Sequence, residues 1–574
     1  MYVETIPNRS SPPAILLRET WREDGKVKKR TLANLTHWPA QLVEHFRVLL
    51  RGGVAVESAS QLMTIERSLP HGHVAAVLGT LRACGRAWFT QAPARLRPIV
   101  EAMIVMRVVT PASKLATWRM LDPSRTVTSL PRLLALDSLS PDDLYAALDW
   151  LGQAQPEIER RLAKQHLSEG VLVLYDLTST WLTGQCCELA APGYSRDGKK
   201  GEPQIVFGVI CTRDGCPVAV EVFPGNTADC TTVAAQVEKL KTRFGLSRVV
   251  WVGDRGMLTE TKIETVLRPA GMSWVTALRA SQIRQLAEAQ GPWQLSLFDE
   301  TGLLEVSSPE YPAERLMVCR NPALAEERTR TRQALLAATE RELDKIVAAT
   351  QRQRSPLQGE SAIGVRVGKV IGRFKMAKHF ALTITENSFS YARKIPQIEA
   401  EAALDGLYVL RTDVSQTELS AAQVVGTYKS LAHVERAFRA LKTVDLHVRP
   451  IFHWNSDRVR AHVFLCLLAY YVEWQMRQKL KPLLFDDEEI PPSPSPARPA
   501  ERSESARQKD ATGLNPNGMP VHSFRSLLAD LATVCYNVAS TPLNPNAKII
   551  LTTRPTALQR EAFQLLGIAP DRTQ

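Results

Sequence analysis

The sequence predicts an α/β fold built on a mixed sheet, and three observations predict it. Two apolar runs, VLVLYD (171–176) and RVVWVGD (248–254), read as buried strands, and each ends in an aspartate. Between them QIVFGVIC and PVAVEVF form two more strands, joined across Asp214-Gly215, a hairpin signal. PGNTADCTTVAAQVEKLKTRFG then reads as a helix capped by Thr227 or Asp229. The order is therefore strand, strand, strand, helix, strand.

The flanking elements follow the same physical rules. Residues 14–36 hold two strand-like runs around Asp24-Gly25, and the second carries Lys26, Lys28, Lys29 and Arg30. From about 39 to 168 the pattern is mostly helical. In SPDDLYAALDWLGQAQPEIERRLAKQ, Ser140 suits the N-cap, Pro141 the first turn, and Asp142 and Asp143 the positive end of the helix dipole. After the second acidic strand the pattern loosens over 276–400, with a long polar helix near 322–352 and strand-like HFALTITENSFSYARKI. GLYVLRTD (406–413) is another buried strand. Residues 485–520, charged and rich in Pro and Ser, are expected to be disordered, with a short helical tail after them.

The chain has 574 residues, too many for one ordinary domain. Its net charge of +12 favours a polyanionic partner. Nine cysteines without a CxxC pair fit neither a disulfide framework nor a zinc site and point to a reducing cytosol. The N-terminus does not read as a signal peptide, and the longest apolar run, 461–474, is interrupted by His462 and Glu473 and too short to span a bilayer. The expectation is a cytoplasmic, nucleoid-associated protein with no membrane partner.

If the two aspartate-bearing strands are neighbours, Asp176 and Asp254 meet at one edge of the sheet, where two unpaired carboxylates would repel and a divalent cation would relieve the conflict. A third acid stands in YKSLAHVERAFRALK (428–442). Tyr428, Glu435 and Lys442 lie two turns apart along nearly one line of a helix, beside an apolar arc of Leu431, Val434, Phe438 and Leu441. Glu435 could complete a site for two cations. Taken singly, each feature also reads as an ordinary strand end or a solvated helix face.

Asp176 in YDLTST, Asp254 in WVGDRGM and Tyr428-x2-Leu431-x3-Glu435-x6-Lys442 resemble the signature of the DDE transposases of bacterial insertion sequences, in the subgroup with a Tyr-Arg-Glu-Lys motif and an insertion before the catalytic glutamate. DDLYAALDWL, YSRDGKK followed by PQIVFGV, and PGNTAD extend the resemblance over about 1–480. It implies an RNase H-like catalytic core, a mixed sheet with flanking helices, interrupted by a mixed α/β insertion domain, with a mainly helical N-terminal DNA-binding region. The implied division is 1–165 for DNA binding, 166–275 and 401–484 for the core, 276–400 for the insertion, 485–520 as linker and 521–574 as tail. It further implies binding of double-stranded DNA at the terminal inverted repeats, hydrolysis at each end and transfer of the 3′-hydroxyl to target DNA. Asp176, Asp254 and Glu435 would hold two Mg²⁺ ions, with Mn²⁺ able to substitute, in a homodimer or larger synaptic complex. A nuclease or resolvase that cuts without joining, and a non-catalytic DNA-binding derivative, are the rival readings.

By the same resemblance Lys442 would bind phosphate and Tyr428 would contact DNA. The motif's arginine falls at Leu431, which cannot hold a phosphate; Arg439, about 40° round the helix from Glu435, is the expected replacement, ahead of Arg436. Arg196, Lys199 and Lys200, in a glycine-containing loop near the first acid, are candidates for backbone contacts, as are Lys28, Lys29 and Arg30. Trp251 and Trp274 read as core more than as base-stacking residues, and His71 and His73 lack further metal ligands.

Overall fold

The computed structural model describes residues 1–9, 11–53, 63–184, 186–199, 201–290, 302–488, 497, 501–541 and 544–569. The chain opens with a three-stranded antiparallel sheet, β1 (Tyr2–Ile6), β2 (Ala14–Glu23) and β3 (Lys26–Asn34), followed by the helix Ala40–Leu50. Asp24 and Gly25, both at positive φ, form the tight turn between β2 and β3 that the sequence predicts. Among the described residues no hydrogen bond or ion pair ties 1–53 to the remainder. The sequence-based expectation of one N-terminal unit over 1–165 therefore needs dividing. The next strand, β4 (Thr64–Pro70), joins a separate three-stranded sheet, while the helices Gly72–Gly85, Leu96–Val109 and Pro141–His166 belong to the main core.

That core is an eight-stranded mixed sheet. Its strands are β5 (Leu172–Trp181), β6 (Gln204–Thr212), β7 (Pro217–Pro224), β8 (Val250–Val252), β9 (Ser273–Ala277), β10 (Leu303–Val306), β11 (Arg315–Arg320) and, after the short hairpin β12 (Phe380–Ile384) and β13 (Phe389–Arg393), β14 (Leu407–Thr412). The spatial order is β10-β11-β14-β9-β8-β5-β6-β7. β7-β6-β5 form an antiparallel meander, and β8 and β9 add in parallel on the other side of β5, an arrangement consistent with an RNase H-like domain. Asp176 does not end its strand as expected. Leu177 to Trp181, rich in hydroxyl-bearing and bulky side chains suited to a pleated sheet, continue β5 and pair with β6 as far as Trp181↔Gln204.

The insertion expected over 276–400 is split. Its first part supplies β10 and β11 to the central sheet, where β11 pairs with β14. Only the later part stands on its own small core, in which Leu336 and Leu343 of the helix Pro322–Thr350 pack on Ile363 and Val367 of the helix Glu360–Phe374 and on Phe380 and Phe389 of the hairpin.

The helix Ser456–Leu480 runs through the main core. It packs on the helices Gly72–Gly85, Leu96–Val109 and Pro141–His166 and on β7, with sixteen buried residues that include His462 and Glu473. Beyond it, residues 485–520 depart from the expected disorder. Residues 489–496 and 498–500 lie outside the described residues, but Glu504–Thr512 is a helix capped by Ser503. Lys509 on that helix is buried because its ammonium finds the Lys481 carbonyl at 2.9 Å and Glu488 at 2.7 Å. The tail, expected to be a short helix, is instead helix, hairpin, helix: Phe524–Ala532, β15 (Cys535–Thr541) with β16 (Asn544–Thr552), and Ala557–Leu566. β15 pairs antiparallel with β4, from Cys535↔Pro70 to Ser540↔Thr64, so the tail closes on the N-terminal part of the core.

Gly72 marks how tightly that closure is made. Its N–H donates to the Val534 carbonyl at 2.9 Å, and an added Cβ would be driven into the Leu531 carbonyl oxygen and lie 2.8 Å from Val534 Cβ. Backbone cannot yield as a flexible side chain can, so Gly72→Ala should destabilise the chain by about 1–3 kcal/mol. Gly368, exposed on the helix Glu360–Phe374 with nothing within 4 Å of an added Cβ, is the contrast. Gly368→Ala should be neutral or stabilise its helix by up to about 1 kcal/mol. Denaturant midpoints of the two variants check both expectations; equal midpoints would refute the first.

Candidate active site

The register of β5 against β8 builds the site. Leu172, Val173 and Leu174 pair in parallel with Val250, Trp251 and Val252, so Asp176 and Asp254 stand at the same height, two residues further on. Trp251 and Trp274 of this layer are wholly buried, Trp251 edge-on to Tyr175 at 5.7 Å, which makes them core. Asp254 sits in the turn after β8, where its Oδ1 accepts from the N–H of Gly256 at 3.1 Å and of Met257 at 2.8 Å. Asp176 keeps part of its surface open but is packed on most sides. Burial pushes its carboxyl up to about 7; the Leu177 N–H at 2.8 Å works against that rise and the charge of Asp254 adds to it.

The third acid arrives on a helix laid across β5. The single helix expected through 428–442 is interrupted at Ser430, whose hydroxyl donates to the Thr427 carbonyl at 2.6 Å and so competes with regular helical bonding. Tyr428 lies in the last turn of the first segment (Ala421–Lys429), Glu435 lies in the second (Leu431–Arg439), and Lys442 lies in a wider turn that follows, closed by Asp445 N–H to the Ala440 carbonyl at 3.3 Å. Val434, Phe438 and Leu441 are buried, and Phe438 packs edge-on against Phe207 of β6 at 5.8 Å. Leu431 packs against the same core, as its place in the apolar arc predicts. At the start of the segment His433 Nδ1 bonds the Arg213 carbonyl at 2.8 Å and so fastens the helix to the β6–β7 turn.

These placements bring the residues together electrostatically. The Tyr428 phenol is pushed up to about 12, first by burial, then by the charges of Asp254, Asp176 and Glu435 against the opposing pull of Arg255. Tyr428 therefore senses all three acids. Lys442 donates to Thr178 Oγ1 at 3.0 Å and is ion-paired with Asp197; burial pushes its ammonium down and Asp197 draws it back up. Thr178 lies two residues beyond Asp176 on β5 and so on the same face of the sheet.

Charge pairing separates the three acids from their neighbours. Among the described residues none of Asp176, Asp254 and Glu435 takes part in an ion pair within 4.0 Å, whereas Asp197 pairs with Lys442 and Arg449, and Asp229 with Arg196 at 2.5 and 2.6 Å. Carboxylates without a paired cation are oxygen donors of the kind a hard divalent cation prefers. The tightest acidic cluster lies elsewhere. Glu260, Glu264 and Glu314 bring oxygens within 4.8 Å of one another, but Arg411 and Arg268 neutralise them, so they form a salt-bridge cluster.

The remaining candidates divide by location. Arg196 is held by Asp229, and Lys199 lies 4.3 Å from the Trp181 ring centroid at the end of β5; Lys200 lies outside the described residues. Arg439 and Arg436 line the same cavity of about 1020 Å³, together with His433, Trp474 and Arg477, so the structure does not set Arg439 apart from Arg436. Lys28, Lys29 and Arg30 are exposed on β3 and pair with Glu23, Glu4 and Glu19. Sequence reasoning missed Asp197, Thr178 and Arg449. Asp197 was visible in the RDGKK loop, but its partners come from the far end of the chain. Arg449 stacks on Trp181 at 5.0 Å and lies 3.6 Å from Asp197.

Comparison with known families accounts for this arrangement. A model described as the transposase DDE domain matches residues 172–472, more than half of the chain and inclusive of all three acids. A second, described as the N-terminal domain of IS1634 family transposases, matches residues 3–59. No curated protein matches the sequence. With its N-terminal and catalytic parts both matched, the chain belongs to the DDE transposases of bacterial insertion sequences.

Proposed function

We propose that the protein binds the terminal inverted repeats of its insertion sequence, cleaves the DNA at each end by metal-dependent hydrolysis and transfers the freed 3′-hydroxyls to target DNA. The observation that carries this reading is the set of three carboxylates, Asp176, Asp254 and Glu435, whose charges all act on Tyr428 and none of which has an ion-paired cation among the described residues. These residues would hold two Mg²⁺ ions, which supply activation of water or a 3′-hydroxyl and stabilisation of the leaving oxygen. The chain's own contribution is placement. β5 and β8 fix the two aspartates, the Asp254 turn is locked by two backbone N–H groups, and the Phe438–Phe207 packing sets the height of Glu435. Lys442 and Tyr428 flank the acids and would hold the scissile strand, Lys442 through a phosphate oxygen. Juxtaposing two DNA ends calls for at least two copies of the chain.

Asp176→Asn, Asp254→Asn and Glu435→Gln should each abolish cleavage of end DNA while leaving metal-free binding within a few-fold of wild type, because binding rests on many phosphate contacts and metal geometry on each acid. Cleavage gels and anisotropy read the two effects, and near-wild-type cleavage by any variant would remove that residue from the site. Strand transfer into a plasmid separates transposition from cutting alone.

Arg449, beside Lys442 and Asp197, is better placed than Arg439 to replace the arginine that Leu431 displaces. A charge-assisted phosphate contact made at the transition state is worth roughly 1.5–3 kcal/mol, so Arg449→Ala should slow cleavage about tenfold to a hundredfold or more. Arg439→Ala and Arg436→Ala should have smaller and similar effects. A larger loss for Arg439→Ala would reverse the assignment.

End recognition is assigned to residues 1–53 with the strand β3. Replacing Lys26, Lys28, Lys29 and Arg30 together by Gln should weaken DNA binding and flatten its salt dependence by about 0.9 for each phosphate that the variant no longer neutralises. An unchanged salt slope would place the recognition surface elsewhere.

A further inference from the structure

We infer that Asp197 is a phosphate surrogate: without DNA, its carboxylate occupies the anion position between Lys442 and Arg449, and a backbone phosphate of the DNA must displace it. This rests on the reading above in which Lys442 holds a phosphate.

Three observations place an anion position there. Asp197 Oδ1 pairs with the Lys442 ammonium, which also donates to Thr178 Oγ1, so the carboxylate lies on the face of β5 that carries Asp176. Arg449 faces the same carboxylate from a second direction, its guanidinium 3.6 Å from Oδ2 and stacked on the Trp181 ring. The third observation is that the match is incomplete. Asp197 Oδ2 is buried without a hydrogen bond, and the Arg449 side chain makes none among the described residues. A planar carboxylate thus satisfies Lys442 but leaves Arg449 unsatisfied. A tetrahedral phosphate, with more oxygens and a wider spread of directions, can reach both.

The surrounding loop permits the exchange. Arg196, just before Asp197, is anchored, its N–H on Ser179 Oγ at 3.0 Å and its guanidinium on Asp229. Gly198, just after it, adopts φ +74° in open space. The carboxylate can swing away without disturbing the anchor. Until DNA arrives its single charge offsets part of the positive charge of Lys442 and Arg449, which would otherwise attract any polyanion.

The exchange predicts an unusual salt dependence. A phosphate that displaces a protein carboxylate releases fewer condensed counterions than one that meets free cations. The test measures anisotropy of the full chain on duplex end DNA, in EDTA and across a salt series, for wild type, Asp197→Asn, Asp197→Ala, Lys442→Gln and the Asp197→Asn/Lys442→Gln double variant. Asp197→Asn should bind about tenfold tighter than wild type, with a slope steeper by about 0.9 for each cation freed. Asp197→Ala should behave alike, and it carries the test if the Asn variant fails to fold. The gain should shrink in the Lys442→Gln background. If the gain persists undiminished there, Asp197 merely repels DNA from a distance and the inference is overturned. If Lys442→Gln weakens binding while both Asp197 variants bind no tighter than wild type, Asp197 is a structural anchor of Lys442; the inference fails and the phosphate role of Lys442 stands. If Lys442→Gln changes neither affinity nor slope, the phosphate role of Lys442 falls and takes the inference with it.

Discussion

Three parallel residue pairs, Leu172 to Leu174 against Val250 to Val252, determine where Asp176 and Asp254 stand. A parallel ladder of that length has one consequence that matters: it brings Asp176 on β5 and Asp254 in the turn after β8 to equal height, and burial there disfavours the charge of Asp176. The buried Trp251 and Trp274 behind this ladder leave the backbone no room to slip. A shift of one residue would send one carboxylate to the opposite face of the sheet. Everything else at the site accommodates that fixed pair. The helix with Glu435 is pinned at one end by His433 and along its length by Phe438, and the Tyr428 phenol before it feels the charges of Glu435 and both aspartates.

The charges around the site follow a division of labour. Acids meant to stay uncompensated lack cations, and acids at the rim have them. Arg196 with Asp229, and Lys442 with Asp197, keep the rim close to neutral while the centre remains negative. On the proposed function, the same residues stabilise the DNA-free fold and would later receive a polyanion. The cluster of Glu260, Glu264 and Glu314 shows the contrast, since arginines from two elements make it a joint between β14 and its neighbours.

Much of this was legible in the sequence wherever the signal was local. Aliphatic runs announced β5 and β8, Asp24-Gly25 announced a turn, and Ser140-Pro141-Asp142 announced a helix start that the structure shows with a full capping box. The three acids could be singled out because a strand order and a helix stripe pointed to one place. What escaped depended on distant partners. Nothing around Ser430 declares a break, since serine also sits within helices; its bond back to Thr427 settles the matter. The composition of 501–520 suggests disorder, yet Lys509 is ordered by carbonyl and carboxylate groups from 481–488. Arg449 and Asp197 acquire meaning only once the fold places them around Trp181.

The pairing of β4 with β15 also sets a timetable for synthesis. Residues 64–70 leave the ribosome well before their partner at 535–541. At roughly 5–20 residues per second, that strand edge and the helix beginning at Gly72 wait about half a minute to a minute and a half for their cover. An open strand edge is a template for pairing with another chain. The nascent protein therefore carries an uncovered strand edge until then, and translation that stops short of residue 535 leaves that edge open permanently.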